Sequence, residues 1–220
     1  MAQLCKFNEQ PSTICDGGYK KGRWIIWLNL NICPNVSSVS KDGEDAWAFS
    51  AQTDRLVLCS HTIEAFLEAV DPTYLALASS NELEAILKFF GAEEDLNSWI
   101  AARLLQVKGY DNTDKVNRFF LNGTMLWLDK ATRVGLVNSI TTEKSAGREY
   151  TCLWFGHQKI QMNVDVALSA LSQLELYALD CYNVTAQHSS FIESCESLEA
   201  VKIFDIAADY PEALQFDIPE

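Results

Sequence analysis

The chain has 220 residues, 48% of them hydrophobic and 21% charged, which is the balance of a folded globular protein and excludes disordered and fibrous classes. Seventeen basic against thirty acidic side chains leave a formal net charge of -13, and this argues against nucleic acid as a partner, because phosphate backbones are held chiefly by Lys and Arg. Apolar runs such as Trp24-Ile25-Ile26-Trp27-Leu28 fall far short of the roughly 20 residues a membrane helix needs, and no signal-peptide pattern opens the chain; the expectation is a soluble protein made in the cytosol.

The one basic cluster, Lys20-Lys21-Gly22-Arg23, predicts a solvated turn. From Ile26 the chain alternates, with Ile26, Leu28, Leu30 and Ile32 on one face and Trp27, Asn29 and Asn31 on the other. That is a half-buried strand stopped by Pro34. Lys41-Asp42-Gly43 predicts a turn, and residues 46–59 carry one or two further strands through Trp47-Ala48-Phe49 and Leu56-Val57-Leu58. Helices follow. Ser60 is the expected cap for 62–70, and Asp71-Pro72 puts proline at the first position of a short successor. Ser79 with Glu82 makes a capping box ahead of 83–90. Residues 93–107 form a longer helix that opens on the acidic run Glu93-Glu94-Asp95 and carries Leu96, Trp99, Ile100, Arg103 and Leu104 on its inner side. Arg103 interrupts that apolar stripe and is a candidate partner for a carboxylate.

Residues 108–115 (KGYDNTDK) are short and polar and are expected to separate two halves, 1–108 and 109–220. Beyond them Phe119-Phe120-Leu121 and Met125-Leu126-Trp127-Leu128 flank Asn122-Gly123, a strong hairpin signal. Asp129 caps a helix running to about 143. A second hairpin pairs 150–155 with 158–164 across Gly156-His157, and a long helix starts at Asp165. Its rows Ala167, Leu171, Leu174, Ala178, Cys181, Thr185, His188, Ile192, Cys195 and Ala170, Leu174, Tyr177, Cys181, Val184, His188, Phe191 make a wide apolar stripe. Core packing against Trp127 and Trp154 is the expected use of this stripe. A self-associating coiled coil is the alternative, disfavoured by Thr and His at the seam.

Chemistry-bearing signals are sparse. The seven cysteines are an odd number without C-x-x-C spacing, so buried thiols are expected instead of a disulfide framework or a zinc knuckle. Cys181, His188 and Cys195 recur every seventh residue on the long helix, about 10 Å apart along its axis. That separation is too great for one zinc ion or for a Cys/His dyad. A thiolate paired with His61 or His157 is the remaining route to a nucleophile. G-x-S-x-G, H-E-x-x-H, G-x-x-x-x-G-K-[ST] and G-x-G-x-x-G patterns do not occur. Asp16-Gly17-Gly18 and Asp42-Gly43 are turn chemistry, and the sequons at Asn35, Asn122 and Asn183 are chance matches. No catalytic residue, metal ligand or cofactor is therefore assigned.

The stretch from about 111 to 214 resembles an uncharacterised domain of bacteriophage proteins, domain of unknown function 4376. The resemblance rests on Asn122-Gly123 with Trp127-Leu128, on Ala131-Thr132-Arg133, and on Leu153-Trp154-Phe155-Gly156. It continues through Leu174-Glu175, Tyr177-Ala178, Asp180-Cys181, Asn183, Thr185 and His188 to Tyr210-Pro211-Glu212. Such domains are often encoded beside tail-fibre and tail-assembly genes, so the resemblance implies a phage particle or its assembly as the setting and supplies no catalytic residues.

The expected architecture is α+β, with two small antiparallel sheets or hairpins, each packed by helices, and a long amphipathic helix towards the C-terminus. The expected role is a non-enzymatic structural or adaptor protein of a tail, baseplate or fibre attachment, located in the virion. It would bind other phage structural proteins and form a homo-oligomer in a symmetric assembly, without nucleic acid or membrane. Trp27, opposite the buried face of its strand, is the candidate contact residue; burial under the helices of its own half is the competing expectation. From Glu193 onward eight carboxylates face a single Lys202, which suits a basic partner. The alternatives are a fibre-assembly chaperone that is not retained in the particle, a Cys-dependent hydrolase, and a DNA mimic.

Overall fold

The computed structural model describes residues 2–34, 48–155 and 158–217. The first elements are β1 (Gln3–Phe7), β2 (Ile14–Lys20), β3 (Arg23–Pro34), β4 (Phe49–Leu58), α1 (Ile63–Ala69), α2 (Pro72–Leu75), α3 (Ser80–Phe89) and α4 (Leu96–Asp111). After them come β5 (Arg118–Leu121), β6 (Thr124–Trp127), α5 (Lys130–Ser145), β7 (Tyr150–Phe155), β8 (Gln158–Asn163), α6 (Val164–Glu193), α7 (Leu198–Ile203) and β9 (Leu214–Phe216). The fold is α+β with small, mainly antiparallel sheets and a long helix late in the chain. The expected turn at 41–43 and Trp47, Asn35 and His157 lie outside the described residues.

The chain forms two compact units, one of Met1–Tyr110 with His188–Ile206 and one of Asp111–Gln187 with Ala207–Glu220. This corrects the expected division into 1–108 and 109–220. The polar stretch 108–115 is not a linker throughout, since α4 continues to Asp111. The segment 188–206 returns to the first unit because Ile192 and Val201 are buried in cores that otherwise belong to that unit.

In the first unit the sheet order is β1-β4-β3-β2, all antiparallel. Lys21 and Gly22 join β2 to β3 with φ of 49° and 78°, the left-handed pair that matches hairpin twist. Ile26, Leu28 and Leu30 are wholly covered by the helical layer, in one core with Phe66, Leu75, Leu83, Leu87 and Trp99. A bulge between Leu30 and Cys33, with Asn31 at φ 54°, ends that alternation; Ile32 is consequently only partly buried. On the opposite face Asn29 is buried because its amide donates to the Ser12 carbonyl at 2.8 Å and its Oδ1 accepts from the Thr53 hydroxyl at 2.7 Å.

The caps are local chemistry. Thr62, not Ser60, caps α1, Asp71 caps α2 ahead of Pro72, and Ser79 and Glu82 form the reciprocal box of α3. The run Glu93-Glu94-Asp95 precedes α4 instead of forming its first turn. Asp95 Oδ2 accepts from the Ser98 amide at 2.9 Å, and α4 begins at Leu96. Arg103 is buried and donates to the Val201 and Lys202 carbonyls, Gln106 Oε1 and Ser80 Oγ, at 3.2, 2.6, 2.9 and 2.7 Å, and the carboxylate whose charge acts on it is that of Asp205. Desolvation lowers its pKa to about 10, and the Asp205 charge opposes that shift. The guanidinium thus caps the end of α7, sharing the Val201 carbonyl with the Phe204 amide and taking the Lys202 carbonyl beyond it.

In the second unit Asn122 and Gly123, at φ 49° and 75°, close the β5–β6 hairpin, and β9 adds in parallel to β5 in the order β6-β5-β9. The hairpin β7–β8 and the helix α5, capped by Asp129, complete the layer. The core joins Phe119, Leu121, Ile140, Ile160, Met162, Leu171 and Leu174. The stripe of α6 is therefore core, with Ala167, Leu171, Leu174, Tyr177 and Cys181 buried. Cys195 lies beyond the helix end at Glu193. Trp127 and Trp154 do not belong to this core, Trp127 being half exposed and Trp154 mostly so.

Candidate protein-contact surface

The sheet of the first unit leaves one face away from its core. Trp27 on β3 sits on that face, paired with Cys15 of β2 and Arg55 of β4, and is 43% exposed. Helices therefore do not cover it. Two residues back, Ile25 is paired with the exposed Val57 yet is itself buried. The β2 backbone covers it through a bulge at Asp16 and Gly18, with Gly17 so close that a Cβ would lie 2.8 Å from Ile25 Cγ2. Trp27 receives no such cover.

The hairpins of the second unit repeat the arrangement. On β7 the residues Thr151, Leu153 and Phe155 turn inward, while Tyr150, Cys152 and Trp154 turn out opposite Asn163, Gln161 and Lys159. Tyr150 is 56% and Trp154 64% exposed. On β5 and β6 Phe119 and Leu121 are buried, and the outward register places Phe120 opposite Met125 and Arg118 opposite Trp127, which is 49% exposed. On α6 the residues Leu176, Leu179 and Tyr182 form a further exposed ridge, spaced three apart so that they lie along one side of the helix.

These side chains supply anchor chemistry. Covering the exposed half of one tryptophan removes about 100 Å² from water and is worth about 2–3 kcal/mol. A ring with two side-chain torsions loses little entropy when fixed.

Two of the groups singled out for nucleophile chemistry, His61 and Cys181, lie in apolar surroundings. The His61 ring packs 4.8 Å from Trp24, 5.1 Å from Phe89 and 5.3 Å from Phe90. Cys181 is buried, and desolvation pushes its thiol up against opposing hydrogen bonds from the Asn117 backbone and the Tyr177 side chain. An activated thiol requires the reverse shift. Among the described residues no group of three or more His, Cys, Asp or Glu is placed to hold a metal ion, and no helix is long and apolar enough to cross a membrane.

Of the residues singled out from sequence, Trp27 stands where it can make a contact. Trp127, Trp154 and Tyr150 are additional, although the helical stripe predicts core packing for the two tryptophans. The signal that would have identified them is the parity of the hairpin strands, since Thr151, Leu153 and Phe155 alternate with Tyr150, Cys152 and Trp154. The chain matches no protein-family model, no curated protein and no solved structure.

Proposed function

We propose that this chain is a non-enzymatic adaptor of a bacteriophage tail, baseplate or fibre-attachment assembly, acting through protein–protein contacts with other structural proteins of the particle. The observation that carries the binding role is that Trp27, Trp127 and Trp154 stand on strand faces turned away from the buried cores of their units. A protein that works by burying surface needs such anchors and does not need polarised catalytic groups. The phage setting comes from the resemblance of residues 111–214, and the rotational symmetry of tails makes several copies per particle the expectation.

Quantitative mass spectrometry of density-purified particles tests the assignment. A fixed ratio to a tail-ring or portal protein, in a multiple of three or six, is expected. Presence in the infected-cell lysate together with absence from particles overturns it in favour of an assembly chaperone. The binding role is tested separately by a Trp127→Ala, Trp154→Ala double variant, which should keep its circular dichroism and lose its place in the particle. Undiminished incorporation of that variant and of Trp27→Ala would remove the aromatic faces from the argument.

A further inference from the structure

We infer that the free edge of β9 is a strand-addition site for an extended, basic peptide segment of a partner protein. In the order β6-β5-β9 the strand β9 is paired on one side only among the described residues. Within an extended strand the N–H and C=O of one residue point to the same side, and the side alternates along the chain. The Phe216 carbonyl accepts from the Asn122 amide at 2.9 Å on the β5 side. The N–H and C=O of Gln215 consequently point to the open side.

That side is bounded, not flat. An open groove of about 790 Å³, solvent included, runs between β9 and the first turns of α6, lined by Val166, Ser169, Gln173 and Gln215 with Asp165 and Asp217 among its wall residues. A sheet edge beside a helix is a geometry in which a guest strand gains main-chain hydrogen bonds from the edge and side-chain contacts from the helix. The segment that feeds β9 is tied down where the Tyr210 and Thr185 hydroxyls lie 2.8 Å apart, so the edge is held in place before a guest arrives.

Charge selects the guest. Asp165 and Asp217 are wall residues of the groove, and the segment feeding β9, from Ala207 to Phe216, carries Asp209 and Glu212 and no Lys or Arg. Asp165 is already ion-paired with Lys144 at 2.6 Å, so the charge offered to a guest is that of Asp217 and of the feeding segment. Lysine or arginine flanking the guest strand meets this rim favourably, and an acidic strand is repelled. The site is distinct from the outward aromatic faces, so either can fail without the other.

The test uses the full chain and a short labelled peptide of alternating lysine and valine, followed by fluorescence anisotropy and by amide hydrogen exchange. Saturable binding with slowed exchange at the Gln215 and Asp217 amides is expected, and a glutamate–valine peptide should not bind. Gln215→Pro removes the edge donor without touching the ladder to β5 and should weaken binding by about tenfold or more, whereas Gln215→Ala should not. Ser169→Trp, which fills the groove from the helix side, should also abolish binding. Binding that is unchanged in Gln215→Pro and Ser169→Trp, or equal for the acidic peptide, overturns the proposal. Concentration-dependent dimerisation that disappears in Gln215→Pro also overturns it, by assigning the edge to a second copy.

Discussion

Gly109 and Gly135 both lie inside α-helices, yet replacement by alanine should change stability in opposite directions. On helix propensity alone each change to alanine is worth about 1 kcal/mol of added stability. At Gly135, exposed on α5, an added Cβ would meet nothing within 4 Å, so the full gain of about 1 kcal/mol is expected. Gly109 is buried on α4, where a Cβ would come 1.8 Å from the Pro72 carbonyl oxygen, 2.2 Å from its carbon and 2.8 Å from the Thr73 nitrogen. All three atoms are backbone at the start of α2, so no rotamer change relieves the overlap, and relief requires roughly 1 Å of relative movement between packed helices. Overpacking of that kind costs about 1–3 kcal/mol, at the upper end where backbone must move. After the propensity gain the net loss is about 2 kcal/mol. Thermal unfolding followed by far-ultraviolet circular dichroism should show Gly109→Ala melting roughly 8 °C lower and Gly135→Ala roughly 4 °C higher than the parent chain. Urea titration should move the two midpoints in the same opposite senses. A Gly109→Ala chain as stable as the parent, or two shifts of the same sign, would refute the close approach of α4 to α2.

Arg103→Met should cost about 2–4 kcal/mol, because the Val201 and Lys202 carbonyls and Gln106 Oε1 lose a buried donor. Amide exchange should accelerate first in α7, and uniform acceleration across the first unit would contradict the tether. Thiol labelling of the native protein at neutral pH should modify the exposed Cys33, Cys59 and Cys152 and leave Cys181 until the chain unfolds. Fast selective reaction of Cys181 would instead support a thiol enzyme. The Ser98 hydroxyl and amide hold the Asp95 carboxyl below the usual carboxylate range. Its stabilising contribution is therefore present above that range and lost as pH falls through the lowered native value. Asp95→Ala should cost about 1 kcal/mol at pH 7, with the gap to the parent closing below about pH 4; a gap independent of pH would show that the carboxylate does not cap α4.

What the sequence determined by itself was local. The Asn122-Gly123 turn, the proline after Asp71, the box of Ser79 with Glu82 and the cap at Asp129 each depend on groups within four residues of one another. The backbone conformations they favour do not wait for the rest of the chain, and the α+β class follows from the elements they punctuate. The inward row Ile26, Leu28 and Leu30 was legible for the same reason, as a strand with one face wet.

Contacts between distant residues decided the rest. The segments that become β1 and β2 carry little hydrophobic alternation, and they are strands because Gln3 to Phe7 pair with β4 and Ile14 to Lys20 with β3. Gly109 sits in a stretch whose composition is that of a linker, but its missing side chain is what lets α4 approach α2. Arg103 feels the charge of the Asp205 carboxylate and binds carbonyls about a hundred positions later, at Val201 and Lys202, all of which only folding brings within reach. Strand alternation shows that a hairpin has two faces, but which face is wet depends on where the helices pack. That choice buried Phe119 and Leu121 and left Trp127 and Trp154 exposed, since tertiary packing covers one side of a small sheet and leaves the other facing water.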